Sequence, residues 1–282
     1  MNIVRMLFVS AIILIGLSGP AYPASSAEEI LASVVKIRSA IPGDAESAKT
    51  LGTERVGSGV VIDSEGSILT VGYLVRDAES IEVIVRDGEP VRATLVGYDY
   101  STGFAIVKAE EKLAVKPMAL AKSSAVKLGD SILVAGHGGE ETVQVSRVIS
   151  RQEFAGYWEY LLDDAIYTLP AYVNFSGAAL INPDGKLVGI GSLFSQVLLP
   201  GLGLIGCNIS IPIDLLGPIL DDLKNKGRPG NASRPWLGIN AEESHGRIFI
   251  TKVTAGKGGN EAGGSDPHGK WKGGGRPFRF LP

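Results

Sequence analysis

Short runs of apolar and β-branched residues, each closed by Gly, Asp, Asn or Ser, dominate the chain as far as about Pro212. Examples are Val56–Asp63, Ser80–Arg86, Val91–Gly97, Asp130–Ala135 and Lys186–Gly191, with turn signals at Asp87-Gly88 and Pro183-Asp184-Gly185. Strands at this spacing predict an all-β sandwich or barrel. Before them, Glu28 to Ile37 predicts a short helix running into a first strand. After them, apolar residues at 215, 216, 219, 220 and 223 predict a helix over Asp214–Lys224, with Asp214 as its N-cap behind Pro212.

The two ends depart from this pattern. Met6 to Leu17 is apolar except for Ser10 and Gly16, and small residues follow up to Ala27. A membrane-spanning helix needs about 20 such residues and a secretory signal about 7 to 15, so residues 1–27 predict an export signal, with an uncleaved signal anchor as the alternative. Either outcome places the domain outside the cytosol. Residues 225–233 predict a linker, rich in Gly, Pro and Asn. Residues 234–256 carry a new apolar segment, and residues 257–282 hold 8 glycines and neither valine nor isoleucine, so that tail is expected to be disordered or frame-shifted.

Composition narrows the chemistry. A formal net charge of −3 gives no basic surplus for nucleic acid or acidic lipid, so no nucleic-acid partner is expected, and membrane contact only if the signal stays uncleaved. Cys207 is the single cysteine, which rules out a disulfide within the chain, and its apolar surroundings predict a buried thiol. His137, His245 and His268 are scattered without ligand spacing, so no metal and no other cofactor is expected.

Three segments carry the candidate chemistry: Gly57–Val75 (GSGVVIDSEGSILTVGYLV), Gly97–Lys108 (GYDYSTGFAIVK) and Asn174–Ile190 (NFSGAALINPDGKLVGI). Together they resemble the HtrA (DegP-like) family of exported trypsin-like serine proteases over roughly residues 32–253. In that family the first segment ends in Thr-Asn-x-His-Val, the second contains Thr-Asp-(Leu/Ile)-Ala-Val, and the third reads Gly-Asn-Ser-Gly-Gly-(Ala/Pro)-Leu. The resemblance implies a double six-stranded β-barrel over residues 28–224, a C-terminal helix, and over 234–256 about half of a PDZ domain. The PDZ resemblance rests on Arg234–Ile239 and Ile248–Ala255. The composition change at Lys257 is what a frame shift or a decayed gene end would produce.

Carried over by position, the resemblance leaves a serine without its partners. Ser176 stands at the nucleophile position, Tyr73 at the histidine position and Gly103 at the aspartate position. Asn174 replaces a glycine of the oxyanion loop, Phe175 an asparagine and Ala178 a second glycine. A serine hydroxyl is a weak nucleophile until a base near neutral pKa takes its proton. An ordinary tyrosine, with a pKa of about 10, is only about 0.1% ionised at pH 7, and glycine has nothing to orient. Asn174 is a residue that tolerates positive φ, which would preserve the loop turn; Phe175 would reshape the loop or fill the specificity pocket. His137 falls in a turn of the second barrel, with no reason from the resemblance to meet Ser176.

The expectation is therefore a pseudoprotease that binds unfolded or peptide clients, or an active homologue, in periplasmic quality control, as a homo-oligomer or hetero-oligomer. The alternative is an active serine endopeptidase in which Ser176 works with a non-standard base.

Overall fold

The computed structural model describes residues 24–86, 88–156, 160–199, 201, 203–230, 239–244 and 247–253. Most of the segment expected to be an export signal, Asp87, the Arg234–Gly238 motif, His245, His268 and the tail lie outside the described residues. The chain divides into two units, Met1–Asn231 and Ala232–Pro282.

The first unit opens with α1 (Ala24–Ala32), followed by β1 (Val34–Ala40), α2 (Ala48–Leu51), β2 (Glu54–Val61), β3 (Ser67–Val71), the single turn α3 (Gly72–Val75), β4 (Ser80–Ile84), β5 (Val91–Tyr98) and β6 (Phe104–Ala109). These six strands close into a barrel in the order β1-β2-β3-β6-β5-β4. A second set, β7 (Ser131–Ala135), β8 (Val143–Ala155), β9 (Leu161–Leu169), β10 (Ala179–Ile181), β11 (Leu187–Leu199) and β12 (Gly203–Pro212), closes in the order β10-β11-β12-β9-β8-β7. Closure removes the open edges that short β-branched strands would otherwise present to other chains. In the second unit, β13 (Ile239–Ser244) and β14 (Arg247–Val253) form an antiparallel pair.

Hydrophobic alternation identifies the outward positions only where one strand face meets water. Along β4 buried and partly exposed residues alternate, whereas every residue of β3 is buried. Beyond its barrel neighbours, β3 also lies against α3 and β11. Phe104, Ile37, Ile68, Leu69 and Ile106 of the first barrel and Leu162, Ile166, Leu180 and Ile190 of the second are fully buried. One apolar cluster runs through both. Cys207 lies inside it with a free, fully buried thiol, which burial pushes to a higher pKa.

The expected helix over Asp214–Lys224 is corrected. A 3₁₀ turn covers Ile213–Leu215, and the α-helix, α4, begins only at Leu220 and runs to Lys226. Gly217-Pro218 breaks it, because proline clashes with the preceding turn and biases the residue before it away from helical geometry. Asp214 caps no helix of its own. Its carboxylate accepts the backbone N–H groups of Ser123 and Ser124, both at 2.9 Å. Burial alone would raise its pKa, but the bonds from Ser124 and Ser123 outweigh burial and hold it below the ordinary value. The helix α4 thus runs past Asn225, where a linker was expected to begin, and Gly227 closes it at φ +74°. Lys224 then ties α4 to the first barrel by donating to Asp63, 3.0 Å away.

Candidate functional site

Ser176 sits between the barrels, in the loop that leads into β10, and is half-buried. Backbone contacts hold it: Ser58 N–H on β2 donates to Ser176 O at 2.8 Å, Gly177 N–H to Gly191 O at 2.8 Å, and Gly191 N–H to Ala178 O at 2.7 Å. The left-handed residue here is Gly177, at φ +75°. Among the described residues Asp77 and Arg86 are the non-glycine residues with positive φ, so the tolerance that Asn174 offers is not used. Asn174 is exposed, and Phe175 is half-buried with its carbonyl accepting Ala178 N–H at 3.0 Å.

Tyr73 reaches this loop from α3. Its hydroxyl lies 2.9 Å from Ser176 Oγ and 2.6 Å from the carbonyl oxygen of Ser192. A phenol has one proton, and a carbonyl can only accept. That one proton is therefore divided between two acceptors, the Ser192 carbonyl at the shorter distance and Ser176 Oγ, with Tyr73 the donor to both. Ser192 is fully buried at a slip of register in β11 between Gly191 and Leu193; such bulges re-aim the residue they insert.

The backbone that carries Tyr73 is braced from below. Arg55 on β2, only 5% exposed, donates to Tyr73 O at 2.6 Å, Arg76 O at 3.0 Å and Ser47 Oγ at 2.8 Å. Burial lowers its pKa, and Asp77 partly offsets that. Neither Arg55 nor Ser192 stands out in the sequence, since each matters only through a carbonyl or hydroxyl that the fold delivers to it.

Gly103 is on the same side of the first barrel but contributes only backbone. It sits at φ +84°, its carbonyl accepting Gly72 N–H at 2.8 Å, next to the residue that bears the phenol. The turn before it is pinned by Asp99, whose carboxylate accepts Ser101 N–H, Thr102 N–H and the Thr102 hydroxyl. The structure thus brings Tyr73 and Ser176 into direct contact and leaves Gly103 and Asn174 without side-chain bonds to either.

His137 belongs to a neighbouring contact between barrels. Its backbone N–H donates to Ser58 Oγ at 3.0 Å, and its Nδ1 lies 3.1 Å from the same oxygen. Burial lowers its pKa first, and the Lys36 charge lowers it further, which favours the neutral ring, whose Nδ1 shares a hydrogen bond with the Ser58 hydroxyl. A folded-state pKa below the unfolded one means that, under about pH 6.5, the unfolded chain binds a proton the folded chain refuses. The associated stability is complete above that pH and is lost as pH falls towards the folded value. Melting temperatures at pH 7.5 and 5.5 should therefore differ less in His137→Gln than in the parent protein. Equal differences would remove the histidine from the account.

Among the described residues no three His, Cys, Asp or Glu side chains gather to hold a metal ion.

Residues 57–190 match the family model of the trypsin-like peptidase domain. Over 188 residues the chain is 30% identical to a probable periplasmic serine endoprotease, DegP-like, of Rhizobium meliloti (strain 1021), a match that covers 65% of this chain and 35% of that protein. These matches support an HtrA-family, trypsin-like protease relationship for the chain. The periplasmic pH-dependent serine endoprotease DegQ of Escherichia coli (strain K12) is another HtrA relative, 28% identical over 226 residues, which cover 74% of this chain and 48% of that one. Among solved structures, an HtrA-type protease, AlgW with decapeptide, superposes with a TM-score of 0.56 at 22% identity, over 82% of this chain and 78% of that one. At that identity the likeness is one of fold. The chain spans between about a third and a half of the length of these curated HtrA relatives.

Proposed function

We propose that this protein is an exported HtrA-like pseudoprotease whose task is to bind unfolded polypeptide, or an active homologue, in periplasmic quality control. The contact that carries the reading is Tyr73 to Ser176: the hydroxyl at the nucleophile position meets a phenol, 2.9 Å away, where catalysis needs an imidazole. Three further features support it. Gly103 has no side chain to orient a base, His137 is engaged by Ser58, and the periplasmic naming of the relatives favours export.

Apolar surface next to the site supports a binding role. The β11–β12 hairpin extends beyond its pairing with β10 and β9, and Phe194, Leu198 and Leu204 are exposed on it by 53%, 73% and 67%. Exposed apolar residues grouped in this way are more often interaction surface than accident. The test is suppression of aggregation of a chemically unfolded client by the purified chain. Suppression is expected to be unchanged in Ser176→Ala and weakened roughly five-fold or more when Phe194, Leu198 and Leu204 are all replaced by serine, on the order of 1 kcal/mol or more of lost apolar burial. Loss of suppression in Ser176→Ala, accompanied by client cleavage in the parent, would overturn the reading.

A further inference from the structure

A third buried side chain at the site, besides Arg55 and Ser192, belongs to none of the three motifs. Tyr160 directly precedes β9 and is 9% exposed. Its ring occupies the volume that a Cβ at Gly103 would take, with Cε1, Cδ1 and Cζ the three nearest atoms to that point. Its hydroxyl bonds to Ser192 Oγ. The carbonyl of the same Ser192 receives the Tyr73 hydroxyl at 2.6 Å, and Tyr73 in turn touches Ser176. Ser192 therefore carries a tyrosine on each of its two oxygens, one from each barrel.

From this geometry we infer that Tyr160 is a positioning residue that has taken over the space of a side chain at 103 and, through Ser192, holds Tyr73 and Ser176 in their closed arrangement. The ring bridges the barrels, coming from the second and filling a hollow in the turn of the first. Gly103 and Tyr160 are thus a matched pair. A side chain at 103 meets two obstacles, a left-handed backbone and an occupied volume, and only the second depends on Tyr160. The inference rests on the reading of Ser176 as an altered nucleophile site only for its catalytic consequence; the pairing of 103 with 160 stands on the packing.

The experiment is a double-mutant cycle on the full chain, read by thermal denaturation. Gly103→Ala is expected to lower Tm by about 5–15 °C in the parent, from backbone strain and overpacking together. In a Tyr160→Ala background the same change should cost only the strain, about 2–6 °C. Tyr160→Val serves as the background if the alanine variant does not fold. Equal losses in parent and background would overturn the inference. A second readout is one that packing alone does not move. Fluorophosphonate labelling of Ser176 should be roughly 100-fold faster in Tyr73→His/Gly103→Asp/Tyr160→Gly than in Tyr73→His/Gly103→Asp, the scale of a general base brought into reach. A folded triple variant no faster than the double would overturn the positioning role. Rapid labelling of the parent chain would instead overturn the pseudoprotease reading and leave the Tyr160 pairing untouched.

Discussion

Ser176 is expected to react with a fluorophosphonate about 10⁴- to 10⁶-fold more slowly than the serine of a working trypsin-like protease, the loss that follows removal of the base from such a triad. The magnitude follows from where the proton has to go. The group that faces Ser176 is a phenol that itself donates, to the Ser192 carbonyl at 2.6 Å and to Ser176 Oγ at 2.9 Å. Accepting a second proton would turn a neutral phenol into an oxonium, and an ordinary tyrosine is a phenolate in only about 0.1% of molecules at pH 7. Neither route matches an imidazole, which titrates near neutrality. Labelling followed by intact-protein mass spectrometry, with Ser176→Ala as the blank, measures this directly. A rate within ten-fold of an active enzyme would mean that another base reaches the serine, and the pseudoprotease reading would fail.

Gly177→Ala is expected to destabilise the chain by roughly 2–5 kcal/mol, about 5–15 °C in Tm, by a mechanism specific to this loop. At φ +75° an alanine pays the left-handed cost of about 1–2 kcal/mol, and its Cβ would be driven into the backbone carbonyl of Ser58, with Thr70 Oγ1 at 2.9 Å. That carbonyl cannot yield cheaply, because it accepts the Thr70 hydroxyl at 2.7 Å while the Ser58 N–H holds Ser176 O at 2.8 Å. The strain therefore passes into the contact between barrels. Gly66 is the control: φ is +81° and nothing lies within 4 Å of its missing Cβ. Gly66→Ala should show the backbone cost alone. If the two variants melted together, the close approach at Ser58 would carry no energy and the account of the loop would be wrong.

The fold was legible where local chemistry decides it. Val91–Gly97 and Asp130–Ala135 predicted strands within a residue of the observed Val91–Tyr98 and Ser131–Ala135. By contrast Lys186–Gly191 gave no hint that β11 continues to Leu199, because the extension is held by pairing with β12 rather than by its own pattern. The helix over Asp214–Lys224 failed for the opposite reason. Apolar spacing continues through Gly217-Pro218, but a local breaker outranks periodicity.

The candidate site divides in the same way. Ser176 and Tyr73 could be paired in advance through family-like spacing, and the resemblance sets Gly103 at the family's aspartate position. What the hydroxyls bond to could not be read. Residue type at each position, the apolar periodicity and the turn residues are local properties, and they predicted short strands in a sandwich or barrel, while the double barrel and the triad positions of Ser176, Tyr73 and Gly103 were what the family resemblance implied. The tertiary structure alone decided that Arg55 braces the backbone of Tyr73, that His137 turns to Ser58, and that Tyr160 fills the hollow at Gly103. Each of these contacts joins residues far apart along the chain, and bond direction and occupied volume arise only once both barrels have closed.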